Sequence, residues 1–153
     1  MRRFALITLL TVFVAPLAFT ADDPPKDTPT AAKTREKLKK KITVNWKDVM
    51  FKEVLDDIKE ATGGDQDGLK FQIDTKSGVS QNTKMTYKAK DKPADEVLTE
   101  LLDKNRPTWG WYVISKEKDA YDGLVKIRVS PADVERGYEK LTKDSSSSGS
   151  SSK

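Results

Sequence analysis

Between Ile42 and Ala61 the spacing of the apolar residues changes from two to about 3.6. Ile42, Val44 and Trp46 alternate with polar neighbours, which predicts a strand with one buried face. Phe51, Val54, Leu55, Ile58 and Ala61 then recur every three or four positions, the pattern of an amphipathic helix. Gly63-Gly64 provides the left-handed stop that closes a helix, and Leu69, Phe71 and Ile73 return to alternation. The same succession is then written again. Met85, Tyr87 and Ala89 alternate, Pro93 opens a second helix where its missing N–H costs nothing, and Ala94, Val97, Leu98, Leu101 and Leu102 form its stripe, with Pro107 just beyond. "WGWYVIS" and "LVKIRVS" predict two further strands around the charged turn "KEKDAYDG". In "SPADVERGYEKLTKD", Ser130 before Pro131 with Asp133 three residues on resembles a capping box, and predicts a short helix with a thin stripe of Val134, Tyr138 and Leu141.

The two halves share more than a period. Lys47-Asp48 precedes Glu53-Val54-Leu55, and Lys90-Asp91 precedes Glu96-Val97-Leu98, at a constant offset of 43 residues (Lys47 to Lys90, Glu53 to Glu96). Ile42 and Met85 correspond at that offset, as do Val44 and Tyr87. Each copy reads as a strand that passes through a short polar turn into a helix packed on a sheet. Packing alone dictates much of this likeness in any two strand–helix units, so duplication and convergence both account for it. Two copies are too few for a solenoid. The expected fold is α+β: a small two-layer sandwich with a β-α-β-β-α-β core, helices on one sheet face, an extra C-terminal strand and a short helix.

The ends differ from the middle. Arg2 and Arg3 precede the apolar run "FALITLLTVFVAPLAF", which at this length and with Pro16 inside it reads as a secretory signal peptide over residues 1–21, with an uncleaved anchor as the alternative. Residues 22–35, rich in proline and small polar residues, predict a disordered linker, and the serine-rich residues 144–153 a disordered tail. Residues 36–143 are left for a single domain, a length that suits one modest core. The 28 Lys and Arg exceed the 24 Asp and Glu by four, and removing the leader halves that excess, too weak a balance to indicate nucleic acid.

Candidate chemistry is sparse. There is neither cysteine nor histidine, which removes thiol nucleophiles, disulfides, imidazole bases and the usual zinc ligands. The expectation is therefore no enzyme, no catalytic residue, no cofactor and no metal. Asp65-Gln66-Asp67-Gly68 has a faint likeness to a calcium loop but has Lys76 where the twelfth-position glutamate belongs. Asp56 and Glu60, one turn apart opposite the apolar stripe, read as a solvated helix face. Arg35 to Lys41, "REKLKKK", reads either as a solvated helix start or linker or as a contact for an anionic surface. Trp109, Trp111 and Tyr112 crowd around Gly110 in "PTWGWYV" and are the candidate partner- or ligand-binding residues; the competing reading is that they fill a small core. Lys84, Lys88 and Lys90 line the solvent side of one strand, whose edge can accept a partner strand or be guarded against one.

The pieces "ITVNWKDVMFKEVLDDIKEATG", "LKFQID", "KMTYKAKDKPADEVLTELL" and "WYVIS", in this order over about Ile42 to Ser130, resemble the short N-terminal domain shared by secretins and TonB-dependent receptors. The resemblance implies a small periplasmic β-α-β-β-α-β domain used for protein–protein contact without catalysis. In that family a pore or receptor barrel follows, and this chain has no counterpart of it after Ser130, so pore or transport function does not carry over. The expectation is an exported interaction module or adaptor of the bacterial envelope, periplasmic or secreted, whose partner is an envelope protein. It touches a membrane only through an uncleaved leader, and its oligomeric state is left open. The alternative is a small carbohydrate- or envelope-polymer-binding protein that uses the aromatic cluster.

Overall fold

A computed structural model describes residues 26–130 and 134–140; the expected signal peptide and serine-rich tail lie outside them. The elements are α1 (Pro29–Leu38), β1 (Lys41–Met50), α2 (Phe51–Thr62), a one-turn α3 (Gly64–Asp67), β2 (Phe71–Ile73), β3 (Lys84–Pro93), α4 (Ala94–Asn105), β4 (Trp109–Val113), β5 (Val125–Val129) and a short β6 (Arg136–Gly137). The fold is a small α+β fold with two sheets. β1 and β3 form an antiparallel pair, and the second sheet has the order β2-β5-β4-β6. Within it β2 runs parallel to β5, β5 antiparallel to β4 and β6 parallel to β4.

The repeated stretch is an internal two-fold axis. In the β1–β3 ladder Asn45 stands opposite Lys88, and these two are equivalent positions of the two copies. Every other pair has its mirror: Val44↔Ala89 maps onto Trp46↔Tyr87, Ile42↔Lys92 onto Val49↔Met85, and Lys41↔Pro93 onto Met50↔Lys84. The register shifts once on each side of the axis, at Lys47–Asp48 in β1 and at Lys90–Asp91 in β3. These are β-bulges. Asp48 and Asp91 take left-handed conformations with φ of 57° and 54°, which aspartate tolerates better than most residues. The Asp48 N–H donates to Thr86 Oγ1 and the Asp91 N–H to Thr43 Oγ1, each at 3.1 Å. The polar turn expected before each helix is thus a bulge inside a longer strand, and α2 and α4 start directly where β1 and β3 end.

The helix stripes follow the periodicity except at one end: Ala61, expected in the α2 stripe, is exposed, and Thr62 is buried in its place. Phe51, Val54, Leu55 and Ile58 are buried on α2, and Ala94, Val97, Leu98, Leu101 and Leu102 on α4. Each helix touches both sheets: α2 packs on β1 and sets Phe51 against Trp109 of β4, while α4 packs on β3 and β4. The expected single sheet is therefore corrected to two, joined by one continuous core. Alternation shows that a strand has one buried face, but not which strand it pairs with.

Two further expectations change. Residues 29–35, expected in a disordered linker, form most of α1. Thr28 caps the helix by accepting from the Ala31 N–H at 3.1 Å, and Pro29 takes the first position. Ala31, Thr34 and Leu38 are buried, so "REKL" is the last turn of a packed helix. At the other end Val134–Lys140 is not helical. Gly137 sits at φ 85°, and β6 pairs alongside β4, where Trp111↔Arg136 and Tyr112↔Gly137 are neighbours. The fully buried Glu135 holds this strap through an ion pair with Arg128 and by accepting the Lys140 N–H at 3.1 Å.

The symmetry makes a quantitative prediction. Thr43→Val and Thr86→Val each remove one side-chain acceptor from a bulge N–H, and each lowers stability by about 1 kcal/mol. Denaturant midpoints at unchanged slope measure it, and clearly unequal losses would show that the two bulges are not equivalent.

Candidate interaction surfaces

All three aromatic candidates are buried: Trp109, Trp111 and Tyr112 expose 5%, 4% and 2% of their surface. Trp109 packs edge-on against Phe51 with ring centroids 5.3 Å apart. Trp111 donates its indole N–H to Thr99 Oγ1 at 3.1 Å. Tyr112 lies beneath the Arg128 guanidinium, 5.2 Å from its ring centroid, and its hydroxyl lies 3.4 Å from Glu139 Oε1. Its ionisation is pushed up, chiefly by burial and then by Glu139. The strap covers this side of β4, so the aromatic platform expected there is corrected to core. Gly110 does serve close approach, but of the chain itself, because a Cβ there would stand 2.9 Å from the backbone nitrogen of Glu135. The signal for this in the sequence was the glycine between two tryptophans; the partner segment lies 25 residues further on, and its apolar spacing is that of a helix, not of a strand beside β4.

Trp111 keeps one edge on a groove. This open groove of about 540 Å³ lies between the end of α1, the start of α4 and Gly137–Tyr138, and Leu38, Pro93 and Trp111 line its base. The Arg35 guanidinium stacks 3.8 Å from the centroid of Tyr138 at its mouth. Its rim mixes Lys39 and Arg136 with Asp95 and Glu96.

The carboxylates serve structural ends. Asp57 and Glu100, equivalent positions of the two helices, each accept an aromatic hydrogen from the ladder: the Trp46 indole N–H at 2.8 Å and the Tyr87 hydroxyl. Glu100 also meets Lys92 at 2.6 Å, and Lys92 reaches Glu96 at 2.9 Å. Lys92 first and Tyr87 second hold the Glu100 carboxyl below the usual range, while burial and then the Glu100 carboxylate push the Tyr87 hydroxyl up to about 12. Asp65 pairs with Lys59 at 2.5 Å. The calcium likeness is not realised as a loop, since Gly64–Asp67 is a helical turn, and no group of three or more His, Cys, Asp or Glu among the described residues is placed to hold a metal.

What the domain offers solvent is the outer face of the β1–β3 sheet. Lys41, Thr43, Asn45 and Lys47 of β1 point outward beside Lys84, Thr86, Lys88 and Lys90 of β3, and all are exposed. Asp48 and Asp91 share this face. Lys41 and Asp91 approach to 3.4 Å with both side chains more than half exposed, a contact worth little in water. Lys47, Lys84, Lys88 and Lys90 meet no carboxylate among the described residues. Among the described residues each strand pairs with no strand but the other; on β3 the Thr86 N–H donates to Asn105 Oδ1 at 3.1 Å and the Thr86 carbonyl accepts from Asn105 Nδ2 at 3.3 Å, so that edge is partly capped and β1 carries the open one.

No protein-family model matches the chain, and no curated protein or solved structure does.

Two measurements check this reading. All three tryptophans, Trp46 included at 5% exposure, are buried, so iodide should quench the native fluorescence weakly until denaturant unfolds the chain; strong native quenching would place a tryptophan at the surface. Tyr87 binds its proton more tightly when folded, so its contribution is complete below about pH 10, the ordinary tyrosine value, and is lost as pH rises through about 12. Tyr87→Phe should therefore flatten the fall in stability across that window, measured by denaturation at each pH.

Proposed function

We propose that this protein is an exported, non-catalytic protein–protein interaction module of the bacterial envelope, of the kind that the short N-terminal domain of secretins and TonB-dependent receptors provides. The observation that carries the reading is the duplicated strand–helix unit closed by the β1–β3 ladder, because its two copies contain the two longest pieces on which the resemblance rests, with the two shorter ones following them as β2 and β4. A two-stranded sheet whose β1 edge is open supports a role in contact, since such an edge offers unpaired backbone groups to a partner, while Asn105 caps Thr86 on the β3 edge. The absence of cysteine and histidine from the sequence, together with carboxylates engaged by aromatic and lysine partners, supports a role without chemistry. The basic leader with its apolar run supports export. An aromatic sugar platform has no such support, because Trp109, Trp111 and Tyr112 are core residues.

In-cell photo-cross-linking tests the proposal. With a photoreactive residue in place of Asn45 or Met50 in the full chain, a discrete adduct with one envelope protein is expected, and none from the same probe at Lys118 in the β4–β5 turn. Equal labelling from all three positions, or a chain retained in the cytosol with Met1 intact, would contradict it.

A further inference from the structure

The charge of the described residues is sorted by geometry. Arginines stand where a contact is directional: Arg35 on Asp27 and the Gly137 carbonyl, Arg128 on Glu135, Arg136 on Asp103 and the Trp109 carbonyl, and Arg106 over the Trp109 ring. On the outer face of the β1–β3 sheet every basic residue is a lysine. Five lysines stand there against Asp48 and Asp91, and Lys39 and Lys40, both exposed, lead into the same strand from the end of α1. The acidic residues turned to solvent on α2 and α4, among them Glu53, Asp56, Glu60, Glu96 and Asp103, lie on other elements.

We propose that this lysine face adsorbs onto an anionic phospholipid bilayer. The shape favours a planar partner over a peptide, because ten-residue strands spread the charge along about 30 Å and, among the described residues, the groove that reaches this face does so at Thr43 and Asn45 beside Asp57 and Glu60, away from Lys47, Lys84, Lys88 and Lys90. The residue type agrees. Lysine is a flexible point charge without the planar fork that selects one carboxylate or phosphate, so it suits many headgroups held loosely. Neighbouring lysines act together, since their spacing falls within the screening length of roughly 8–10 Å at moderate salt. Met50, 39% exposed at the end of the ladder opposite Lys84, offers an apolar side chain to the interfacial region. The proposal does not rest on an envelope protein partner, and it goes beyond a leader-only membrane contact.

Co-sedimentation of the full chain with vesicles tests it. Vesicles of phosphatidylcholine containing phosphatidylglycerol should bind the chain, those of phosphatidylcholine alone should bind it far less, and salt should weaken the binding. Each lysine near such a surface is worth about fivefold in partitioning, so Lys84→Gln, Lys88→Gln and Lys90→Gln together should weaken binding roughly 100-fold. The triple Lys70→Gln, Lys76→Gln and Lys118→Gln removes the same charge from exposed sites elsewhere and should change binding by about fivefold or less. Matching thermal melts for the two triples verify that both fold. Equal losses in the two triples would reduce the effect to net charge, and equal binding to uncharged vesicles would assign it to the apolar leader. Binding to soluble polyglutamate without binding to vesicles would assign the face to an acidic polypeptide. Each of these results would overturn the proposal.

Discussion

The fold depends on one ladder, β1 against β3, and on how that ladder keeps its phase. Strict alternation from Ile42, Val44 and Trp46 would send Asp48 inward, and from Met85, Tyr87 and Ala89 would send Asp91 inward. An unpaired carboxylate in this core would cost several kcal/mol. The bulge inserts one residue, so that Lys47 and Asp48 both face solvent and Val49 turns back toward the core; Lys90 and Asp91 repeat the device. This is the physical content of the repeated Lys-Asp. It adds local twist, and it brings Met50 and Pro93 to the point where a helix can start without a connecting loop.

From that constraint the rest follows in pairs. Val54 and Val97, Leu55 and Leu98, and Ile58 and Leu101 are equivalent residues that fill the core from the two helices. Asp57 and Glu100 tie each helix back to an aromatic of the ladder. The copies diverge after the helices. Thr62 is followed by the α3 turn before β2, whereas three residues separate Asn105 from β4, and β2 lies at the edge and β4 inside the second sheet.

Much of this was legible in the sequence, and the failures have physical causes. Helix stripes, glycine stops and strand alternation report burial of a face, so α2, α4, β1, β3, β4 and β5 could be located from residue pattern. Pairing is not written in that pattern, which is why one sheet was expected where two exist. The segment before Arg35 was read by its prolines, although Thr28-Pro29 is a cap followed by a first-turn proline. The strap around Glu135 has the composition of an amphipathic helix; Gly137 in a left-handed conformation and the buried Glu135–Arg128 pair are what hold it extended. The aromatic cluster was identified as notable, but its role is packing. The lysines of β3 were identified as solvent-facing, and only the antiparallel register shows that those of β1 join them on one surface.

The inner face of the ladder carries the core and the outer face is the one proposed for contact, with both halves of the chain folded around Asn45 and Lys88 as one unit. Native-state amide hydrogen exchange tests this most directly. The prediction is that ladder amides on the two sides of the axis, together with the cores of α2 and α4, exchange slowest and with one common opening free energy equal to that of global unfolding. If the first strand–helix unit opened at a clearly lower free energy than the second, the halves would be independent and the ladder would not be what unites them.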